Sequence, residues 1–193
     1  LNTINWKLLE GVKWSDGTDF TAEDAVFTWE YCTNPDTGCT SINSFDGVEL
    51  VEAVDPLTVR VTFEGPTPYP YLPFVTNYNG QIIQKAQFAD CIGAAAQTCN
   101  EQNLAPHGTG PYTLESYSEG ERVLLKRRED YWQNGEDGQP LPYLDEMEFI
   151  DMGEEASAWI AAIPVEKQLQ SAPPSSSVSF FSSARTVGLP ARE

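Results

Sequence analysis

The segment LLEGVKWSDGTDFTAEDAVFTWE, residues 8–30, carries a strand-like run, a turn and a capped helix in succession. Leu8, Leu9, Val12 and Trp14 give the first part an extended, strand-like character. Ser15-Asp16-Gly17-Thr18 breaks it with a turn in which glycine is free to take positive φ. Thr21 can then cap a helix, with Asp24 near the helix's positive end. Ala22, Ala25, Val26, Trp29 and Cys32 recur at spacings of three and four, which is one face of that helix. Phe27 and Tyr31 fall off the stripe, so the helix is expected to be covered on more than one side, and Asn34-Pro35 stops it.

Downstream the period drops to two. Leu57, Val59, Val61 and Phe63 alternate with Thr58, Arg60 and Thr62, and residues 48–52 before the Asp55-Pro56 turn complete a hairpin. Residues 65–80 hold Pro66, Pro68, Pro70 and Pro73 among Tyr69, Tyr71, Phe74 and Tyr78, so they are expected to form a surface or cleft loop outside any sheet. A short helix is expected over residues 84–90, then a loop of small residues as far as Pro106. A second hairpin turns at Glu119-Gly120, and a last strand is expected over residues 144–150. From about residue 156 acids thin out and serine crowds in around Pro173-Pro174, which reads as a disordered tail or an unnatural continuation.

Composition excludes whole classes of function. With a net charge of −18 and only 11 lysines plus arginines, the chain lacks the clustered cations that nucleic acid requires. No stretch approaches a membrane span of roughly 18 apolar residues. The four cysteines fall as Cys32 with Cys39 and Cys91 with Cys99, without CxxC spacing and with a single histidine, His107. A zinc site is therefore not expected. Two local disulfides in an oxidising compartment are favoured by the turn residues between Cys32 and Cys39. Four buried thiols in a reducing one remain the alternative. The acids of residues 145–155 alternate as on the solvated face of a strand, and no GxSxG, HExxH or phosphate-loop motif is present, so no catalytic residue is assigned.

Residues 8–30 resemble the signature region of family 5 solute-binding proteins, the dipeptide and oligopeptide receptors of ABC importers. Residues 47–63 (GVELVEAVDPLTVRVTF), 84–86 (QKA), 108–112 (GTGPY), 127–132 (RREDYW) and 141–150 (LPYLDEMEFI) resemble further elements of that family, in its order. The resemblance implies a mixed α/β (α+β) fold, hairpin-rich with a few short helices, forming part of the first lobe of a two-lobed periplasmic-binding-protein-like receptor. Residues 1–105 would belong to that lobe's small β-rich subdomain, 106–155 to its main sheet, and 156–193 to an atypical tail. The family's Gly-Glu-Val-Asp-like element after the strand is missing, which implies a frameshift near residues 155–160 or an unrelated end. The opening at Leu1-Asn2-Thr3 likewise reads as the middle of a longer protein.

The implied function is capture of a peptide or another small solute for a membrane permease, by a monomer in the periplasm or on the cell surface, without cofactor or metal. The same fold carrying nickel, an opine or an oligosaccharide is one alternative. A secreted carbohydrate-binding module using Tyr69, Tyr71 and Phe74 is another. Asn77, Tyr78, Asn79 and Gly80 are the expected ligand contacts, because the family's chain runs near its cleft there. Trp14, Trp29, Tyr131 and Trp132 are expected to be core packing instead, and His107 a bend residue without a catalytic partner.

Overall fold

The computed structural model describes residues 2–74 and 80–151. By contacts the chain divides into two compact units, one of Leu1–Ser118 with Arg122–Phe149, the other of Glu119–Glu121 with Ile150–Glu193. The expected tail, residues 156–193, lies outside the described residues.

Strand β1 (Thr3–Lys7) pairs antiparallel with β3 (Thr58–Phe63), whose other edge pairs antiparallel with β2 (Val48–Asp55), giving the order β1-β3-β2. Helix α1 (Ala22–Thr33) lies across this sheet. Its Ala22 and Ala25 meet Val51, Val59, Val61 and Phe63 in a buried cluster, with Trp6 and Trp29 packed at the margin. Phe27, on another face of α1, is buried against Phe88 and Cys91. The helix is thus covered on two sides, as the aromatic residues off its main stripe require. Small residues face the sheet and a large one faces the loops, which sets how closely each layer approaches.

The first strand departs from the sequence expectation. The apolar run at Leu8–Trp14 is not a strand of the sheet; the strand lies upstream, where Ile4 and Trp6 turn inward and alternate with exposed neighbours. After Leu8, whose amide donates to Leu57 O, the chain leaves the sheet at Gly11, which has φ +80°. Val12 and Trp14 are buried beneath the following turn. Apolar content alone marks residues 8–14 as buried, but it does not distinguish a strand from a buried crossing.

Helix α2 (Lys85–Phe88) occupies the expected position. The loop expected beyond it instead contains a 3₁₀ turn, Gly93–Thr98, and helix α3 (Asn100–Leu104). The reason is covalent. Cys91 is bonded to Cys99 and Cys32 to Cys39, and these two short loops dock on each other. The Gly93 amide donates to the buried Thr37 Oγ1 at 2.8 Å, and Gln97 Nε2 donates to Thr37 O at 3.3 Å. A second sheet has the order β4 (Tyr112–Ser118), β5 (Arg122–Arg127), β6 (Glu146–Ile150).

Candidate functional site

Four segments far apart in sequence meet at one seam, and each was visible in the sequence only as a turn or a helix end. The first is the tight turn at Asp16-Gly17. Thr18 donates to Asp16 Oδ1 through both its amide, at 2.9 Å, and its hydroxyl, at 2.6 Å. Gly17, at φ +86°, closes the turn with its amide on Trp14 O. The second is the start of α2, where Gln84 is 2% exposed. Its Nε2 donates to Asp16 Oδ2 and to Thr18 Oγ1, both at 2.8 Å.

The third segment is the bend at residues 106–110. His107 Nδ1 lies 2.7 Å from Gln84 Oε1 and 3.3 Å from Asp16 Oδ2. Both partners are acceptors, so Nδ1 carries the proton. Burial works to raise the Asp16 pKa, but the hydrogen-bond donors of Thr18 and Gln84 outweigh it and lower it to about 2. Asp16 is therefore a fixed anion at neutral pH.

The fourth segment is the Arg-Glu-Asp bend after β5. Arg128 is 5% exposed. Its guanidinium pairs with Asp130 through Nε and Nη2, both at 3.0 Å. It also donates to the carbonyls of Lys13 at 3.1 Å, Trp14 at 3.1 Å, Gly108 at 3.2 Å and Gly110 at 3.4 Å. Only a planar fork with five donors can hold the first and third segments together in this way. Asp24 does the same for α1. Its carboxylate accepts from the amides of Thr21 and Lys85, each at 2.9 Å, and from Trp14 Nε1 at 3.2 Å.

Along the seam lies a cavity of about 570 Å³, walled by the aromatic rings of Trp14, Phe20, Phe74 and Phe88 and bordered by Gly80 and His107. Of the expected ligand contacts, Gly80 is buried and borders this cavity. Asn77, Tyr78 and Asn79 lie outside the described residues. Phe74 reaches the cavity, whereas Tyr69 and Tyr71 are 71% and 58% exposed and do not line it. Trp14 is buried as expected, but Trp132 is 45% exposed and lies tilted against Tyr131, at 5.4 Å between ring centroids. The motif position of Trp132 signals a bend held by the neighbouring Arg128, not a core ring.

Among the described residues no cluster of three or more His, Cys, Asp or Glu side chains is arranged to hold a metal ion. No helix among them is long and apolar enough to cross a membrane.

The family profile of bacterial extracellular solute-binding proteins, family 5 Middle, matches residues 1–185. The chain belongs to that family. Glutathione-binding protein GsiB of Escherichia coli (strain K12) is 31% identical over 144 residues, which are 74% of this chain and 25% of that protein. The family 5 chain thus spans about a quarter of the length of the curated relatives it matches. Among solved structures, the ABC transporter substrate-binding protein CtaP of Listeria monocytogenes is 31% identical with a TM-score of 0.67, covering 82% of this chain and 31% of its own. The binding protein MoaA of A. tumefaciens R10, solved with mannopinic acid, is 26% identical with a TM-score of 0.63, covering 83% of this chain and 30% of its own. The fold is the mixed α/β fold of these binding proteins. Four of the six segments that carry the family likeness, residues 8–30, 84–86, 108–112 and 127–132, meet at the seam, which explains why turn and cap residues are prominent in it.

Proposed function

We propose that this chain is part of the substrate-binding component of an ABC importer, which captures a peptide-type solute outside the cytoplasmic membrane and presents it to a permease. The observation that carries this reading is the aromatic cavity at the seam, in a chain whose family consists of extracellular solute-binding proteins. Concave, largely apolar sites with a few placed polar groups are the usual form of a small-molecule site. The glutathione-binding relative supports a short peptide as the solute, and the protein solved with mannopinic acid supports an opine as the second reading.

In this reading residues 1–105 form most of a small subdomain of the first lobe and residues 106–155 return to its main sheet. Gly80 edges the cleft, and the receptor works as a monomer. Capture needs the second lobe, because closure buries the solute between two halves.

The test is isothermal titration calorimetry of glutathione, a tripeptide mixture and mannopinic acid against the complete receptor. Saturable binding of a peptide is expected, with much weaker heats from residues 1–193 alone. Binding of mannopinic acid in place of the peptides would move the opine reading forward. Equal affinity for the short and complete proteins, or retention on insoluble polysaccharide through Tyr69 and Tyr71, would sink the receptor reading in favour of a self-contained binding module.

A further inference from the structure

We infer that the cavity at the seam is a subsite for an uncharged aromatic group bearing one hydrogen-bond donor, and that His107 Nε2 accepts from that donor. The walls provided by Trp14, Phe20, Phe74 and Phe88 are rings, with Trp14 and Phe20 already edge to face at 5.5 Å between centroids. A flat aromatic guest extends this arrangement through further edge and offset contacts. None of the described residues lining the cavity is a lysine, arginine, aspartate or glutamate. A carboxylate, phosphate or ammonium group would enter without a counter-charge, which opposes its burial.

The polar requirement comes from His107. Its Nδ1 is committed to Gln84 and Asp16, and neither of these residues lines the cavity. The orientation of the Gln84 amide is fixed, because its Nε2 donates to Asp16 and Thr18 and leaves only Oε1 for the ring. Asp16 and Gln84 therefore hold the proton on Nδ1, and in the neutral imidazole Nε2 is then the acceptor, on the opposite edge. A purely hydrocarbon guest would cover that nitrogen and leave it unpaired; a phenol or indole would satisfy it. His107 reads in the sequence as a bend residue, because its two orienting partners lie 91 and 23 positions away.

The proposal rests on the receptor reading for the origin of the guest, which would be a tyrosine- or tryptophan-like ring of the captured solute. The test itself needs neither the solute nor the permease. His107 is the single histidine, so chain labelled with ¹⁵N-histidine reports one ring. Indole and 1-methylindole are titrated in turn while the ring nitrogens are followed by NMR. Indole is expected to shift the Nε2 resonance and to bind about tenfold more tightly than 1-methylindole, the preference one hydrogen bond supports.

His107→Phe is expected to bind both guests equally. His107→Gln, which keeps an acceptor near the Nε2 position, is expected to restore part of the preference and covers the case in which the Phe variant does not fold. Equal affinity of the wild-type chain for the two indoles, or no response to either up to their solubility limits, would overturn the proposal. Discrimination between the indoles alongside a complete receptor that captures no solute would uphold the subsite and count against the receptor alone. Capture of solute without any indole response would do the reverse.

Discussion

Asp16 and Arg128 act in opposite senses on the same seam, one as a buried-side acceptor and the other as a donor to four carbonyls. The folded-state pKa of Asp16 is depressed to about 2. Its contribution is therefore present above the ordinary carboxylate pKa and is lost as pH falls through the folded value, where both states carry the proton. The side chain is 28% exposed, so the full shift overstates the effect, and about 1–2 kcal/mol is the expected size. Urea melts of wild type and Asp16→Asn should differ by that amount at pH 5 and converge between pH 4 and 2. A constant difference would mean that the carboxylate's charge plays no part. At Arg128 the carbonyls lose their donor on mutation, while the partner Asp130, 54% exposed on its side chain, can return to water. Arg128→Met should cost about 2–4 kcal/mol, and Arg128→Lys most of that, because an ammonium cannot serve carbonyls at four positions from one site. A lysine variant with an unchanged melt would show that charge alone is sufficient.

Helix α1 shows how an element can be read from sequence while its surroundings cannot. Its cap, its stop at Asn34-Pro35 and its two covered faces follow from the order of residues 21–35, because capping and amphipathic packing are local or periodic. The β2–β3 hairpin follows for the same reason. Strand β1 and helix α3 were not legible: the first is short and carries few apolar residues, and the second is shaped by a disulfide loop docked on another. The candidate site was less legible still. Gly80, expected near a cleft, borders the cavity, but Gln84, His107 and Arg128 acquire their positions from partners 20 to 115 residues away, and no spacing rule connects them. The docked disulfide loops give a prediction at this scale. Each bond closes a loop of 7 or 8 residues, worth about 2.5 kcal/mol through the unfolded chain. Replacing the Cys32–Cys39 pair and the Cys91–Cys99 pair by serine, singly and together, should give losses that fail to add by about 0.5 kcal/mol or more, because the Gly93–Thr37 contact is shared. Strict additivity in thermal melts would show that the two loops stand independently.

Over the whole molecule, a net charge of −18 on 193 residues makes mutual repulsion of acids the leading long-range term. The ion pairs at the surface, such as Lys13–Asp19 and Lys85–Glu23, are largely exposed and contribute little. Added salt screens repulsion more than it weakens those pairs, so the melting temperature should rise by several degrees between 10 mM and 500 mM sodium chloride, by order-of-magnitude reasoning from the Debye length. A fall with salt would place the balance on the attractive pairs instead. The clasp at Arg128 also bears on how the chain is made. Arg128 reaches Trp14 O across 114 positions. A ribosome delivers residue 14 well before residue 128, so until residue 128 emerges the Asp16 turn and α1 exist without the group that fastens them to the bend after β5. The N-terminal sheet can assemble early from its near neighbours, but the seam closes after it, at the entropic cost of a long loop. Nascent chains stalled before residue 128 should therefore be cut by protease at the Trp14–Gly17 turn, and chains stalled well beyond it should resist.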